Sequence, residues 1–329
     1  MVNRILIIIG GALALIIAIL WLLNTSMFAL PPEGQQPALI SHRGVHQTYH
    51  RAALERDTCT AIRIDEPRHT YLENTIPSMQ AAFDAGAAVV ELDIHPTPDG
   101  HLAVFHDWTL DCRTDGTGVT RQTPMSVLKT LDIGYGYTAD GGNTYPFRGK
   151  YVGAMPTLDE VFDAFPDRRF LINFKGRDPG EGQALAVFLQ RRGNTEQVWG
   201  VYGSDESIGG LAATFPDVMS LSKTSMMACA KDYIAKGWTG YVPQSCRGRI
   251  MFVPVSHARL MWGWPHRFMQ RMDGVGTRVV LLGPMTKDDV GTSGIDSAAL
   301  LDRVPHDFGG YVWSNRIEEI GPMVVAPAD

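Results

Sequence analysis

The side chains of this chain best suited to chemistry lie in one short segment, Glu91-Leu-Asp93-Ile-His95-Pro-Thr-Pro-Asp-Gly-His-Leu-Ala-Val-Phe-His106. Val90, Leu92 and Ile94 alternate with Glu91, Asp93 and His95, so a strand here is apolar on one face and charged on the other. Asp99-Gly100 reads as a two-residue hairpin turn, because such turns need positive φ at their centre. That turn sets Asp93 opposite His106 on one face, with Cβ atoms about 4.5 to 5.5 Å apart. Pro96 and Pro98 withhold backbone donors and leave room for a bulge in that register. Crowded carboxylates resist burial unless they are protonated, paired with a cation or bound to a metal. Glu and Asp oxygens are the usual ligands of Mg²⁺ or Ca²⁺. A lone Glu-x-Asp is more often a solvated strand edge, so the weight falls on its company.

Upstream, the apolar run Ala38-Leu-Ile-Ser ends in His42-Arg43-Gly44, as a buried strand does on entering a loop. Next comes Leu72-Glu73-Asn74-Thr75-Ile-Pro77, a loop leading into a helix capped by Thr75 with Pro77 in its first turn. In order, His-Arg-Gly, Glu-Asn-Thr, Glu-x-Asp, Asp-Gly and His-Asp resemble the glycerophosphodiester phosphodiesterase family over about residues 38–315. The resemblance implies that His42 and His106 are the acid/base pair and that Glu91 and Asp93 hold a divalent metal. It further implies that Arg43 contacts phosphate, with Lys175 placed to meet a phosphate oxygen. It implies a (β/α)8 TIM barrel of the phosphodiesterase type with an insertion after the second histidine, about residues 107–155.

The elements that must position these residues are legible independently. Apolar strands alternate with helix-like segments from Pro156 to Ser314, and with the strands at Ala38 and Val89 they number about eight, as an α/β barrel requires. The sixth strand is open between Gly240-Tyr-Val and Ile250-Met-Phe-Val. His42, Glu91, Asp93, Lys175 and Trp313 fall late in their strands, where barrel active sites sit.

Two features depart from the family pattern. A third metal ligand, usually the Glu of Glu-x-Lys, is replaced in Asn173-Phe-Lys175; Asn173 offers an amide oxygen without charge, and Glu73 is the alternative ligand. The loop from Val45 to Tyr71 is long and carries Tyr49, Arg51, Arg56, Arg63, Arg68 and His69, either as a lid over an anionic head group or as a solvated loop. Trp313 matches a family position in the substrate pocket, although a Trp ending an apolar strand is as often core. His95 lies one pleat beyond Asp93, about 6 to 7 Å along the strand, outside ligand reach. Met261-Trp262-Gly-Trp264-Pro265 is either packing or an apolar lip for an acyl chain or membrane surface.

The chain has 329 residues and a net charge of −6, which argues against nucleic acid as a partner and leaves attraction of a phosphodiester to local cations. Residues 5–23 form an unbroken apolar run spanning roughly 28 Å as a helix, enough to cross a bilayer. It exceeds the apolar core of a secretory signal, and Met27-Phe-Ala29 is a poor cleavage site, so an uncleaved anchor is expected. Arg4 and the amino terminus before it keep residues 1–4 in the cytoplasm, with residues 24–36 as a linker and the barrel, 37–329, outside. There the four cysteines become candidates for two disulfides; Cys59 and Cys112 share the catalytic face of the barrel and are paired, which leaves Cys229 with Cys246.

The expected reaction is metal-dependent hydrolysis of a glycerophosphodiester to glycerol 3-phosphate and an alcohol. The alternatives are a lysophospholipase D acting on membrane lysophospholipids and a weakly active, anchored head-group-binding protein. Retention of both histidines favours an enzyme, since binding alone needs no acid/base pair.

Overall fold

The computed structural model describes residues 2–29, 31, 34–55, 58–285 and 293–325. In chain order the elements are α1 (Val2–Asn24), β1 (Ala38–His42), α2 (Ile76–Asp84), β2 (Ala87–Pro96), β3 (Leu102–Val104), α3 (Met125–Leu128), α4 (Leu158–Ala164), β4 (Arg169–Phe174), α5 (Pro179–Arg192) and β5 (Val198–Gly203). They continue with α6 (Asp205–Ala212), β6 (Ser220–Ser222), α7 (Lys223–Lys236), β7 (Ile250–Pro254), α8 (His266–Asp273), β8 (Arg278–Leu282), α9 (Ala298–Leu301), β9 (Tyr311–Ser314) and α10 (Ile317–Val325).

Local chemistry starts and stops these elements. Thr75 caps α2 in a reciprocal box with Ser78, with Pro in the first turn. Asp178 caps α5 ahead of Pro179, and Gly193 ends it in the left-handed conformation at φ 75°. Helix α8 begins only at His266, because Gly263 turns left-handed and Pro265 interrupts the run before it.

Eight parallel strands pair in the order β6-β5-β4-β2-β1-β9-β8-β7, and β3 folds back antiparallel on β2. This is the expected TIM barrel, nearly closed, its sixth strand being Ile250–Pro254. Along β2, Val90, Leu92 and Ile94 point into the layer between strands and helices, whereas Val89 joins the apolar plug of the barrel interior with Ile40, Leu171, Trp199, Ile250 and Val280. The charged face of β2 is therefore the upper lumen of the barrel and not a solvated edge: Glu91, Asp93 and His95 are all fully buried. Each fully buried Val, Leu or Ile on the other face contributes about 1.5 to 3 kcal/mol, which sets the register firmly.

The hairpin after β2 differs from expectation by one residue. Ile94 pairs with Val104 and His95 with Ala103, and the turn closes through Thr97 and His101 around Pro98, Asp99 and Gly100 at φ 83°. The three-residue loop shifts the register, so Phe105, and not His106, lies opposite Asp93 and donates its amide to the Asp93 carbonyl at 3.1 Å. His106 reaches the lumen because it stands beyond the end of β3, where strand alternation no longer fixes its direction.

Between β3 and α4 the chain carries α3 and gathers a small core of Phe105, Leu110, Met125, Leu128, Ile133 and Met155. Cys59–Cys112 joins it to the loop after β1, and Cys229–Cys246 ties α7 to the segment before β7, the expected pairings. In the loop after β1, Arg63 bonds His50 and the Ala52 carbonyl, Arg68 pairs with Glu319 at 3.2 Å, and Arg51 lies over Tyr49. These local partners favour a pinned loop over a basic lid; Arg56 lies outside the described residues.

Helix α1 contains one apolar stretch, Arg4–Asn24, long enough to cross a membrane and unburied in the protein. The segment after it does not hang free: Ser26 donates to the Gly263 carbonyl at 2.9 Å, and Ala29 is buried. Non-reducing peptide mapping is expected to recover both disulfides and no free thiol. Replacing Cys229 and Cys246 together by Ser is expected to lower unfolding stability by roughly 3 kcal/mol, read from urea titration; an unchanged midpoint contradicts a stabilising cross-link.

Candidate active site

The loop leaving β1 sets the first half of the site. Arg43 and Gly44 both turn left-handed, at φ 58° and 78°, and a Cβ on Gly44 would meet Ser78 at 2.5 to 2.9 Å. Only glycine fits there. A left-handed Arg costs on the order of 1 to 3 kcal/mol, a cost the surrounding bonds hold in place. The Arg43 amide donates to Glu91 Oε2 at 3.1 Å, its Nε lies 3.2 Å from Asp93 Oδ2, and its terminal nitrogen lies 3.1 Å from Glu73 Oε1.

The two carboxylates of β2 differ in company. Asp93 accepts from Asn74 Nδ2 at 2.9 Å and from Asn173 Nδ2 at 2.8 Å, and Lys175 Nζ lies 3.3 Å away. Burial opposes its charge, but Lys175 and Arg43 hold its carboxyl well below the usual range. Glu91 accepts from the Tyr202 hydroxyl at 2.5 Å, and its Oε2 lies 3.9 Å from His42 Nε2. Burial and the neighbouring Asp93 push Glu91 up to about 8. Asn173 stands directly across the β2–β4 register from Asp93.

Both histidines are fixed through Nδ1, but to different partners. His42 Nδ1 meets Asn315 Oδ1 at 2.6 Å, and the Asn315 amide nitrogen donates to Asp296 Oδ2 at 2.8 Å. Since Asp296 orients that amide, its oxygen faces His42, so His42 carries its proton on Nδ1 and leaves Nε2 as acceptor toward Glu91. Burial, then Arg43, keeps this imidazole neutral well below its ordinary range. His106 Nδ1 meets Asp107 Oδ1 at 2.7 Å, a carboxylate able to stabilise an imidazolium. Burial, then Arg43 and Lys175, lowers His106 against that bond.

One arginine absent from the sequence reading connects the halves. Arg113, 2 % exposed, donates from Nε to Asp107 Oδ2 at 2.8 Å, lies 3.1 Å from Glu73 Oε2, reaches Thr60 at 2.7 Å, and bonds Tyr137. A continuous chain runs His106–Asp107–Arg113–Glu73–Arg43–Asp93. Glu73, considered above as a metal ligand, has an arginine on each oxygen and supports Arg43. Arg113 follows Cys112 in a polar segment; it is buried because its partners are charged. Asn74, Tyr202 and Asn315 also escaped prediction, their roles set by contacts 19, 111 and 273 residues away in the chain.

Trp313 packs against His42 with ring centroids 4.8 Å apart and belongs to the barrel plug, so it backs the imidazole. His95 is packed edge-on to Trp108 at 6.0 Å and is pushed down to about 3 by burial, then by Lys175. His106, Asp107, Trp108, Asn173 and Lys175 line a cavity of about 390 Å³, with Thr58 and the Cys59–Cys112 pair at its edge.

The parallel barrel thus gathers buried acids, imidazoles and cations at its strand ends. Residues 42–185 match the glycerophosphoryl diester phosphodiesterase family. A glycerophosphodiester phosphodiesterase of Caldanaerobacter subterraneus is 38% identical over 104 residues, 31% of this chain and 39% of that protein. The chain thus spans about two fifths of the curated relatives it matches. Among solved structures, the glycerophosphoryl diester phosphodiesterase domain of a Mycobacterium tuberculosis protein aligns with TM-score 0.61 at 17% identity, over 88% of this chain and 99% of that one. A phosphodiesterase of Oleispira antarctica in complex with sn-glycerol-3-phosphate aligns with TM-score 0.51 at 18% identity, over 88% and 97%. These two likenesses concern the fold.

Arg113→Met is expected to destabilise the barrel by about 3 to 5 kcal/mol, because it leaves Asp107 and Glu73 buried with less positive charge. Urea unfolding followed by near-ultraviolet dichroism measures this. A loss below about 1 kcal/mol, the worth of an exposed pair, would show that the arginine does not bear on the buried acids.

Proposed function

We propose that the chain is a glycerophosphodiester phosphodiesterase that cleaves its substrate to glycerol 3-phosphate and an alcohol. The observation that carries this reading is the pair of buried imidazoles, one fixed on an amide and one on a carboxylate, beside Glu91, Asp93, Arg43 and Lys175. The names of the curated relatives and the glycerol phosphate in the Oleispira structure agree with it.

Members of the family generally depend on a divalent metal. The donor set suits one: Glu91 and Asp93 are hard oxygen donors on adjacent inward positions, and Glu91, buried and raised to about 8, marks a shortage of positive charge. Among the described residues no three acids, histidines or cysteines gather as a ready ligand set, so a third donor falls to the neutral Asn173. Glu91, Asp93 and Asn173 would hold the ion, which when bound supplies polarisation of the phosphoryl group.

The chain's own groups then divide the work. Arg43 and Lys175 bind the nonbridging oxygens and oppose the charge that develops on them. His42 takes the proton of the attacking hydroxyl at Nε2, which its bond to Asn315 leaves as the acceptor. Glu91 beside it steadies the resulting imidazolium. His106, in the protonated form that its bond to Asp107 supports, gives a proton from Nε2 to the leaving alcohol oxygen. The insertion wall around Trp108 and the disulfide encloses the cavity and limits water.

Release of glycerol 3-phosphate across a panel of head groups tests the reaction; no release from any glycerophosphodiester sinks it. His42→Ala and His106→Ala are each expected to lose turnover by about 10²-fold or more while remaining folded. Near-normal turnover by a folded His106→Ala protein would remove that residue from the reaction. The base must be neutral and the acid protonated, so kcat/KM is expected to be bell-shaped, rising on an acid limb well below pH 6.5 as His42 loses its proton. Asp107→Asn, which removes the charge that supports imidazolium, is expected to shift the alkaline limb to lower pH; an unmoved limb assigns it to another group.

Asn173→Glu adds a charged third donor and is expected to bind Mg²⁺ or Ca²⁺ more tightly than the natural chain in calorimetric titration. Equal or weaker affinity would mean that residue 173 does not touch the ion.

A further inference from the structure

The apolar helix and the barrel meet around one guanidinium. Arg271 on α8 donates to the Leu23 carbonyl at 2.8 Å and to Asn24 Oδ1 at 3.2 Å, both at the end of α1. It also donates to the Tyr233 hydroxyl and the Gly237 carbonyl at 3.0 Å each and to the Trp262 carbonyl at 3.3 Å. Asn24 Nδ2 donates to the Trp238 carbonyl at 2.7 Å. Two residues on, the Ser26 hydroxyl accepts from the amides of His266 and Arg267, where α8 begins. The joint is a set of bonds that fixes the last turn of α1 on the barrel.

Its position along the barrel axis follows from the topology. α7 starts directly after β6 at the strand ends and runs away from them, so Tyr233 and Gly237 lie toward the opposite end. Arg271, near the end of α8, precedes the start of β8 at Arg278 by a short turn. The joint therefore lies at the base, where strands begin, whereas His42, Asp93 and Lys175 lie where they end. From Ala87 to Asp93 along β2 the rise is roughly 20 Å.

Around the joint several large apolar side chains face outward. Trp21 on the last turns of α1, Ile234, Trp238, Tyr241 and Trp262 are all at least two-fifths exposed. Tryptophan and tyrosine concentrate at membrane–water interfaces, where the ring sits among head groups with its polar tip bonded. Trp238 and Trp262 each bond a carbonyl of α7 through Nε1, Ala235 and Ile234, and keep the ring outside. The Met261–Pro265 stretch thus belongs to the base; Met261 is core, and its exposed member, Trp262, is far from the catalytic mouth.

We propose that Trp21, Ile234, Trp238, Tyr241 and Trp262 form a lipid-contact surface that seats the base of the barrel on the bilayer crossed by α1 and turns the catalytic mouth away from it. Head groups of that same bilayer then stand on the wrong side of the barrel to reach His42 and His106, and substrate enters from the aqueous phase. That last consequence rests on the phosphodiesterase reading, while the surface itself does not.

The full chain in phosphatidylcholine nanodiscs, with and without brominated acyl chains, tests this by tryptophan fluorescence. The bromine-quenched component is expected to fall roughly two-fold in the W238F/W262F double variant and to stay unchanged in W108F, at the mouth. Quenching undiminished in the double variant, or lost with Trp108, overturns the surface. Lysophosphatidylcholine embedded in the same disc is expected to be cleaved far more slowly than soluble glycerophosphocholine, and the reverse order overturns the orientation. If soluble glycerophosphocholine is not cleaved at all, the phosphodiesterase reading fails while the quenching result still decides the surface.

Discussion

The structure turns on the cost of burying acids in the lumen of a parallel barrel. Glu73, Glu91, Asp93 and Asp107 are all nearly or wholly enclosed, and an isolated carboxylate there would take up a proton rather than stay charged. Arg43, Arg113 and Lys175 are the cations against them. Three against four leaves one acid unsatisfied, and the shortfall falls on Glu91, whose bonds come from a tyrosine hydroxyl and a backbone amide. Asp93, with two cations and two amides, is the fixed negative point of the site. Arg43 accepts a strained left-handed backbone, and Gly44 leaves no room for a side chain, because this charge must arrive from directly above the carboxylates.

Much of this was legible in the sequence, because the fold rests on period and punctuation. Alternation along β2 assigned apolar residues to one face and charged residues to the other, and the alternation of strands with helical segments pointed to the barrel. What alternation cannot supply is the count of residues in a turn. Pro98-Asp99-Gly100 forms three loop positions where two were read, and the one-residue shift moves His106 off the partner position of Asp93. The histidine still enters the lumen because it lies past the ladder, a freedom invisible to a rule built on strict pairing.

Long-range partners were hidden for a different reason. Arg113 sits in a polar segment of the insertion, and nothing local distinguishes it from a solvated arginine; its burial follows from two acids that reach it from other parts of the chain. Asn315 is likewise an ordinary polar residue after a strand until Asp296 fixes its amide and, through it, the tautomer of His42. Two imidazoles alike in sequence therefore become unlike in chemistry, one leaning on a neutral oxygen and the other on a carboxylate. Distance in sequence, not chemical subtlety, concealed that difference.

Asn173 shows how one neutral residue changes the balance of the lumen. A glutamate there would face Asp93 across the β2–β4 register as a fifth acid, tolerable only beneath a tightly held cation. The amide instead donates to Asp93 at 2.8 Å, so Asp93 is held by hydrogen bonding and by Arg43 and Lys175. Fewer negative charges also mean less repulsion toward an anionic phosphodiester, at the expense of the attraction that retains a metal. The wall of the lumen at this point is thus an amide-to-carboxylate bond flanked by Arg43 and Lys175, where a carboxylate at residue 173 would set two acids face to face.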